Sequence, residues 1–525
     1  MTTLNSALEG QFRNSPRAAA VVWNDAPIAF AELDDRSAAL AATLREAGVT
    51  PGDRVAVALP NSPALVAAVL AVLRSGAILV PINPAAPVAD AIYATEHSGS
   101  ALALLGEKQA RDWADLTVPT HVPTAAGPAS APTGTPLSER DWFAAKPTDP
   151  AMLIYTSGTT GRPKGVVLSH RALAGNLATV ARQWRWTRDD RLLLTLPCFH
   201  LHGLALGILG SLLVGSTIVL RPRFVATDVP RLLEAHRCTL FFGVPTMYNR
   251  LVQLSEEKLE ADLGTMRLWV SGSAPLTPAT FEQFRRRFGH EILERYGMSE
   301  GGFMIATPFE GPRRPGVVGY PLPGIDVRIV EPRAETHGTT GPTSGDVVQV
   351  SDGDVIRVSD GDVGEIAIRG ANLFSGYWRD RAATERAFTG PYFRSGDLAL
   401  REGDGMIRIV GRLSVDIIKC RGFKVSAIEI ENCLQNHADV DEVAVVGVPH
   451  ADLGEEIVAV VTPRDGAAGD IARRILEHAE SHLARHKVPA RIALMAEIPR
   501  TGPGKFKKRD LIECLSGVAI ERAPA

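Results

Sequence analysis

Residues Tyr155–Gly165 read Tyr-Thr-Ser-Gly-Thr-Thr-Gly-Arg-Pro-Lys-Gly, placing four Ser/Thr hydroxyls, three glycines and one lysine in eleven positions. Glycines let backbone N–H groups come close to an anion, hydroxyls donate further hydrogen bonds, and lysine adds charge. That composition suits a triphosphate. It is not a Walker A loop, because the spacing G-x-x-x-x-G-K-[ST] is absent. Further along lie Glu300, Asp397 and Lys505, the paired His200 and His202, and the arginines Arg250 and Arg295. Taken singly, each has a plain structural explanation: a turn aspartate, a solvated lysine, an arginine ending a helix.

Taken in order, the motifs reverse that judgement. Thr156–Gly165 resembles the phosphate loop of the adenylate-forming superfamily, which comprises acyl-CoA synthetases, peptide-synthetase adenylation domains and firefly luciferase. Tyr296-Gly-Met-Ser-Glu300 is similar to that family's aromatic-Gly-x-Thr-Glu element, and Tyr392-Phe-Arg-Ser-Gly-Asp397 to its Y-x-T-G-D. Gly411-Arg412 resembles the start of its hinge, and Pro499-Arg-Thr-Gly-Pro-Gly-Lys505 its terminal P-R-T-x-x-G-K. The resemblance spans essentially the whole chain. It implies an acid–CoA ligase that uses ATP, Mg²⁺ and CoA, forms an acyl adenylate, and passes the acyl group to a thiol.

The same resemblance implies roles. Thr156, Ser157, Gly158, Thr159, Thr160, Gly161 and Lys164 would cradle the phosphates. Ser273, Tyr296, Gly297 and Met298 would hold the adenine side, with Tyr296 stacked on the base. Asp397 would take the ribose hydroxyls, supported by Arg412. Ser299 would meet the α-phosphate; serine replaces the commoner threonine and keeps the hydroxyl. Glu300, with Thr156, would hold Mg²⁺, a hard cation that prefers oxygen. Lys505 would offset charge as pyrophosphate leaves. Lys419, Arg421 and Gly422 would meet CoA, Gly422 leaving room for the pantetheine arm. The family's hinge residue falls at Ser414 or Val415, and the small domain would rotate there between half-reactions.

The acid pocket would be shaped by Pro197–Gly203, Phe242–Arg250 and Val270–Tyr296. His202, Ser271, Arg250 and Arg295 are its candidate polar residues, His202 being assigned a catalytic part as well. Arginine suits bidentate capture of a carboxylate. The strings F-H-x-H-G-L, G-V-P-T-M-Y-x-R and E-R-Y-G-M resemble those of malonyl-CoA synthetases, which implies a small dicarboxylate such as malonate or methylmalonate. A medium-chain or aryl acid is the alternative, as is a carrier-protein thiol in place of CoA.

These residues need elements to position them. Arg54–Leu59 reads as a strand, Ser62 as a helix cap with Pro63 in the first turn, and Ala64–Leu73 as an apolar helix. Gly76 closes that helix, and Ala77–Val80 is the next strand, completing a β-α-β unit of a parallel sheet. Ala151–Tyr155, Leu240–Gly243 and Leu268–Val270 are expected strands, and Pro278–Phe288 an expected helix. Residues 117–136 read as a linker. The near-identical octets 348–355 and 356–363, each with Asp-Gly, predict a duplicated hairpin. Strands at Val443–Val448 and Ile457–Thr462 and a helix at Ile471–Leu483 complete the chain.

The expected fold is α/β: residues 1–410 form a large domain of parallel sheets covered by helices, with a small β-barrel-like part, and 411–525 a small α+β domain. A chain of 525 residues is too long for one core. With a net charge of −3 it shows no basic excess for nucleic acid. Five scattered cysteines and the lack of a basic-then-apolar N-terminus point to a cytoplasmic protein. Residues 192–220 lack Asp, Glu, Lys and Arg, yet their histidines and four glycines favour a cleft wall over a membrane span.

Overall fold

The structure is a computed structural model that describes residues 2–123, 141–156, 163–332, 357–413, 416–420, 423–450, 453–467, 469–500 and 506–516. The opening β-α-β unit forms as its sequence dictates. Ser62 caps the helix Pro63–Arg74 by accepting the Leu65 N–H at 3.2 Å, and Gly76 reverses the chain at φ 75°. The strands Arg54–Ala58 and Ile78–Pro81 then pair in parallel. That helix is buried along its whole length, which explains its unbroken apolar run.

Two sheets build the large part. One joins Arg54–Ala58 and Ile78–Pro81 to Pro150–Thr156, Lys164–Ser169 and Gly376–Tyr377 on one side, and to Ser100–Leu105 and Thr120–His121 on the other. The other runs in parallel through Ala19–Trp23, Thr217–Leu220, Arg191–Leu194, Leu240–Gly243, Leu268–Ser271 and Ile292–Met298. From Ile292–Met298 it turns antiparallel through Gly302–Ala306, Val317–Pro321, Ile407–Arg412, Tyr392–Arg401, Gly364–Gly370 and Ile325–Val330. These antiparallel strands occupy the place of the expected barrel-like part. The helix Pro278–Phe288 has the expected bounds, with Thr277 as cap and Gly289 as left-handed stop.

A separate five-stranded sheet holds Phe423–Ser426, Ile417–Cys420, Gly454–Pro463, Val440–His450 and Arg491–Leu494. Helices Ala427–Leu434 and Ile471–His482 cover one face and Lys508–Ser516 the other. Gly411 and Arg412 end a strand of the large sheet, so the expected division at 410/411 falls inside that strand, and the small sheet starts at Ile417.

The charge-free stretch 192–220 spans two parallel strands and, between them, a buried π-helix at His202–Gly210. Among the described residues no helix is long and apolar enough to cross a membrane. The first octet lies outside the described residues. In the second, Arg357 makes one antiparallel bridge to Val330 and a turn at Asp360–Gly361 leads into Gly364–Gly370, which is less than the hairpin strand expected.

Candidate active site

The carboxyl ends of the parallel strands Leu240–Gly243, Leu268–Ser271 and Ile292–Met298 converge, the usual place for a ligand in an α/β sheet. Ser271 ends one of these strands. Gly272 and Ser273 follow, and Ser273 sits in the left-handed region at φ 73°, a strained conformation for a residue with a side chain. A side chain at Gly272 would stand 2.5 Å from Arg295 Nε, so glycine there makes room for the guanidinium.

Arg295 lies on the neighbouring strand Ile292–Met298, 5 % exposed, and burial pushes its guanidinium down to about 9. Among the described residues no carboxylate pairs with it. Its guanidinium lies over the Phe303 ring, 4.8 Å from the centroid, and Nη2 reaches Ser273 Oγ only at 3.5 Å. His202 Nδ1 approaches the same hydroxyl at 3.5 Å. Burial, and then the charge of Arg295, drive His202 well below its usual value, so it is neutral. His202 Nε2, Ser271 Oγ and Arg295 Nε have no hydrogen-bond partner among the described residues. A buried polar group without a partner costs about 1–3 kcal/mol, more when charged. Ser271 is the register partner of Glu294 on the adjacent strand; the unpartnered His202 and Arg295 atoms, which meet at Ser273, describe a cradle shaped for an anionic group.

Glu294 is not the partner of Arg295. Alternation along the strand turns it to the other face, where it accepts the Gly316 N–H at 2.8 Å, and burial raises its carboxyl to about 8. Arg250 differs from Arg295. It ends the helix Pro245–Val252 and is exposed, and the structure brings no contact between the two arginines. The expected symmetrical pair is therefore one buried and one exposed arginine.

The residues expected on the nucleotide side do come together. Tyr296 Oη donates to Asp397 Oδ2 at 2.6 Å, and Arg412 Nε donates to Asp397 Oδ1 at 2.9 Å. Asp397 and Arg412 are cross-strand partners in the antiparallel part of the large sheet. The Asp397 carboxylate raises the Arg412 guanidinium above its ordinary value. Gly297 cannot carry a side chain, since a Cβ would collide with the Gly302 carbonyl. Met298 ends the strand and Ser299 is half-buried beside Glu300.

Glu300 is 8 % exposed and burial raises its carboxyl. It accepts from Tyr377 Oη at 3.0 Å, and the Lys164 ammonium lies 5.1 Å from the same Tyr377 ring. Tyr377 was not singled out from sequence; the only signal was an aromatic pair, Tyr377-Trp378, after a glycine. Thr156 and Lys164 face each other across the pair of strands that flanks the phosphate loop. Among the described residues no three metal-ligating side chains gather. One buried carboxylate beside phosphate-binding groups fits Mg²⁺, which keeps waters and takes its other ligands from phosphates.

Lys419 lies on the strand Ile417–Cys420. Ser157, Gly158, Thr159, Thr160, Gly161, Arg421, Gly422 and Lys505, with the hinge candidates Ser414 and Val415, lie outside the described residues. Cys420 is buried in the core of the small sheet.

The fold agrees with comparison to known proteins. Residues 8–378 match the AMP-binding enzyme family and 429–505 match the AMP-binding enzyme C-terminal domain. The chain belongs to this family and is an ATP-dependent, AMP-forming acyl-CoA synthetase that works with Mg²⁺ and CoA. It is 35% identical to the mitochondrial malonate–CoA ligase of Xenopus laevis, over 88% of this chain and 82% of that one. It is 33% identical to a feruloyl-CoA synthase of an Amycolatopsis species, over 95% and 96%. ATP-bound MatB from Rhodopseudomonas palustris superposes with a TM-score of 0.85 at 32% identity, covering 98% of this chain and 99% of that one.

Proposed function

We propose that the chain is a malonate–CoA ligase, and that Arg295 receives the carboxylate of the acid that does not react. The observation that carries this reading is the buried guanidinium that has no carboxylate partner among the described residues and stands beside His202 and Ser273. A fatty or aryl acid offers nothing to neutralise it. The likeness to the malonate–CoA ligase of Xenopus laevis supports the same acid.

The residues then divide the labour. Asp397 takes the ribose hydroxyls, and Arg412 and Tyr296 hold its two oxygens in place. The loop from Thr156 to Lys164 binds the β- and γ-phosphates, Ser299 meets the α-phosphate, and Glu300 with Thr156 would hold Mg²⁺, whose charge screens the phosphates. The reacting carboxylate oxygen attacks the α-phosphorus, and the bond to the bridging oxygen breaks to release pyrophosphate. Lys505 stabilises the charge that develops on that oxygen. His202, neutral and buried, contributes a hydrogen bond and no charge at the acid. In the second half-reaction the CoA sulfur, deprotonated, attacks the acyl carbon and AMP departs; Lys419, Arg421 and Gly422 border the thiol's approach. We place the boundary of the moving domain within residues 413–416. All five cysteines are free, which suits a reducing compartment such as the cytosol.

The test is pyrophosphate release with malonate, methylmalonate, succinate, propionate, octanoate and ferulate, with CoA and with a carrier protein. Malonate with CoA is expected to lead. A preference for propionate, octanoate or ferulate would overturn the dicarboxylate reading. Lys505→Ala is expected to abolish adenylate formation while sparing acyl transfer from preformed adenylate.

A further inference from the structure

The small domain holds a buried ion cluster that the reaction as described does not use. Lys508 opens the helix Lys508–Ser516 and places Nζ 2.5 Å from Asp416 Oδ1 and 2.7 Å from Glu431 Oε1. The three side chains are only 10–15% exposed. Burial alone would depress the Lys508 ammonium, but the two carboxylates more than offset it, so it stays charged. Glu431 is anchored in turn, accepting the Val445 N–H at 2.8 Å.

Asp416 looks both ways. Its Oδ2 accepts the Arg412 N–H at 3.0 Å, and its own N–H donates to the Arg412 carbonyl at 2.8 Å. Arg412 in turn grips Asp397, which Tyr296 also holds. An unbroken series of bonds thus runs from the ribose-side carboxylate of the large sheet to the first residue of the last helix.

The chain leading to that helix is clamped as well. The Lys507 N–H donates to the Pro499 carbonyl at 2.9 Å, and Arg500 pairs with Phe506 as an antiparallel bridge. The Arg500 guanidinium lies 4.2 Å from the centre of the Phe506 ring. These contacts bracket residues 501–505, and Lys508 follows Lys505 by three positions.

We propose that Lys508 is a positioning residue for the adenylation half-reaction. Held by Asp416 and Glu431, it ties the segment bearing Lys505 to Arg412 and so to Asp397. The inference rests on the reading of Lys505 as the adenylation lysine. Buried ion pairs add little stability over well-packed apolar groups, but removing one member leaves an uncompensated buried charge and disrupts the arrangement. The pair Arg412–Asp416 spans residues 413–415, so a turn of the small sheet about that segment breaks this link. The Asp416–Lys508–Glu431 cluster lies on the small-domain side and moves as a unit. The bond series therefore serves adenylation and is dispensable for thioester formation.

Lys508→Met keeps the length and removes the charge. Single-turnover pyrophosphate release is expected to fall about 10²-fold, the scale of a misplacement near 1 Å, with acyl transfer from preformed adenylate to CoA unchanged. Lys508→Arg should recover most of the loss. If Lys508→Met fails to melt cooperatively, Glu431→Gln with Lys508→Met leaves fewer unpaired buried charges and should fold while keeping the adenylation defect. Wild-type adenylation in a folded variant, or equal loss in both half-reactions, overturns the proposal. Lys505→Ala assayed beside them separates the two readings: if it still adenylates at the wild-type rate, the assignment of Lys505 is at fault.

Discussion

Arg295→Met should make the enzyme more stable and almost unable to use malonate. The depression of Arg295 from 12.5 to about 9 corresponds to roughly 5 kcal/mol for holding its charge in the protein interior. The Phe303 ring and two loose contacts to one serine recover only part of it. Replacing such an ion by an apolar side chain of similar volume gains about 1–4 kcal/mol. The melting temperature of the free variant should therefore rise. A malonate carboxylate would supply the missing partner in the wild type through charge-assisted hydrogen bonds worth about 1.5–3 kcal/mol each. Losing one to two of these lowers kcat/KM for malonate by about 10–10⁴-fold. Malonate should also raise the melting temperature of the wild type but not of the variant, because ligand stabilisation requires binding to the folded state. Thermal melts with and without malonate, and kcat/KM for malonate and propionate, test all three. A variant that melts lower and keeps malonate turnover within about threefold, less than 0.7 kcal/mol, would refute the reasoning.

Arg250, being exposed, should behave differently: Arg250→Met is expected to cost only a few-fold in malonate kcat/KM, and about 0.5 M salt should erase the difference, read from initial rates across ionic strength. A loss as large as that of Arg295→Met would mean the helix Pro245–Val252 closes over the acid. Glu294 sets a pH dependence. Its folded value of about 8 lies above the ordinary 4.5, so the folded state binds the extra proton and stability falls as pH rises between those values. Glu294→Gln should flatten that fall and melt higher than the wild type at about pH 9, with the gap closing by about pH 5. Tyr296→Phe keeps the ring but removes one of two holds on Asp397 and should raise the KM for ATP by up to about tenfold, leaving the KM for malonate unchanged; an unchanged ATP KM would show that the hydroxyl's hold on Asp397 does not serve nucleotide binding.

The local elements were legible because their signals are local. Ser62-Pro63 starts a helix wherever an apolar run follows, and Thr277-Pro278 does the same before Phe281 and Phe284. The π-helix at His202–Gly210 was not legible: an all-apolar stretch has no period to read, and its wide winding is set by the walls around it. Of the octet pattern, the described part shows the local signal: the Asp-Gly turn forms at Asp360–Gly361, while the strand partner it leads to, Ile325–Val330 against Gly364–Gly370, is set by the sheet.

By itself the sequence carried the motifs and their order, Thr156–Gly165, Tyr296–Glu300, Asp397, Arg412 and Lys505, whose expected roles rest on their joint resemblance to the adenylate-forming family. Only the tertiary structure decided what each charge faces. Tyr296 meets Asp397 across 101 residues, and Asn176 pins the backbone of Phe303, the ring beneath Arg295, across 127. No local pattern encodes such distances. Arg250 and Arg295 looked alike in sequence; packing exposed one and buried the other with no counter-ion among the described residues, and the cost of burying an unpaired charge is what sets them apart.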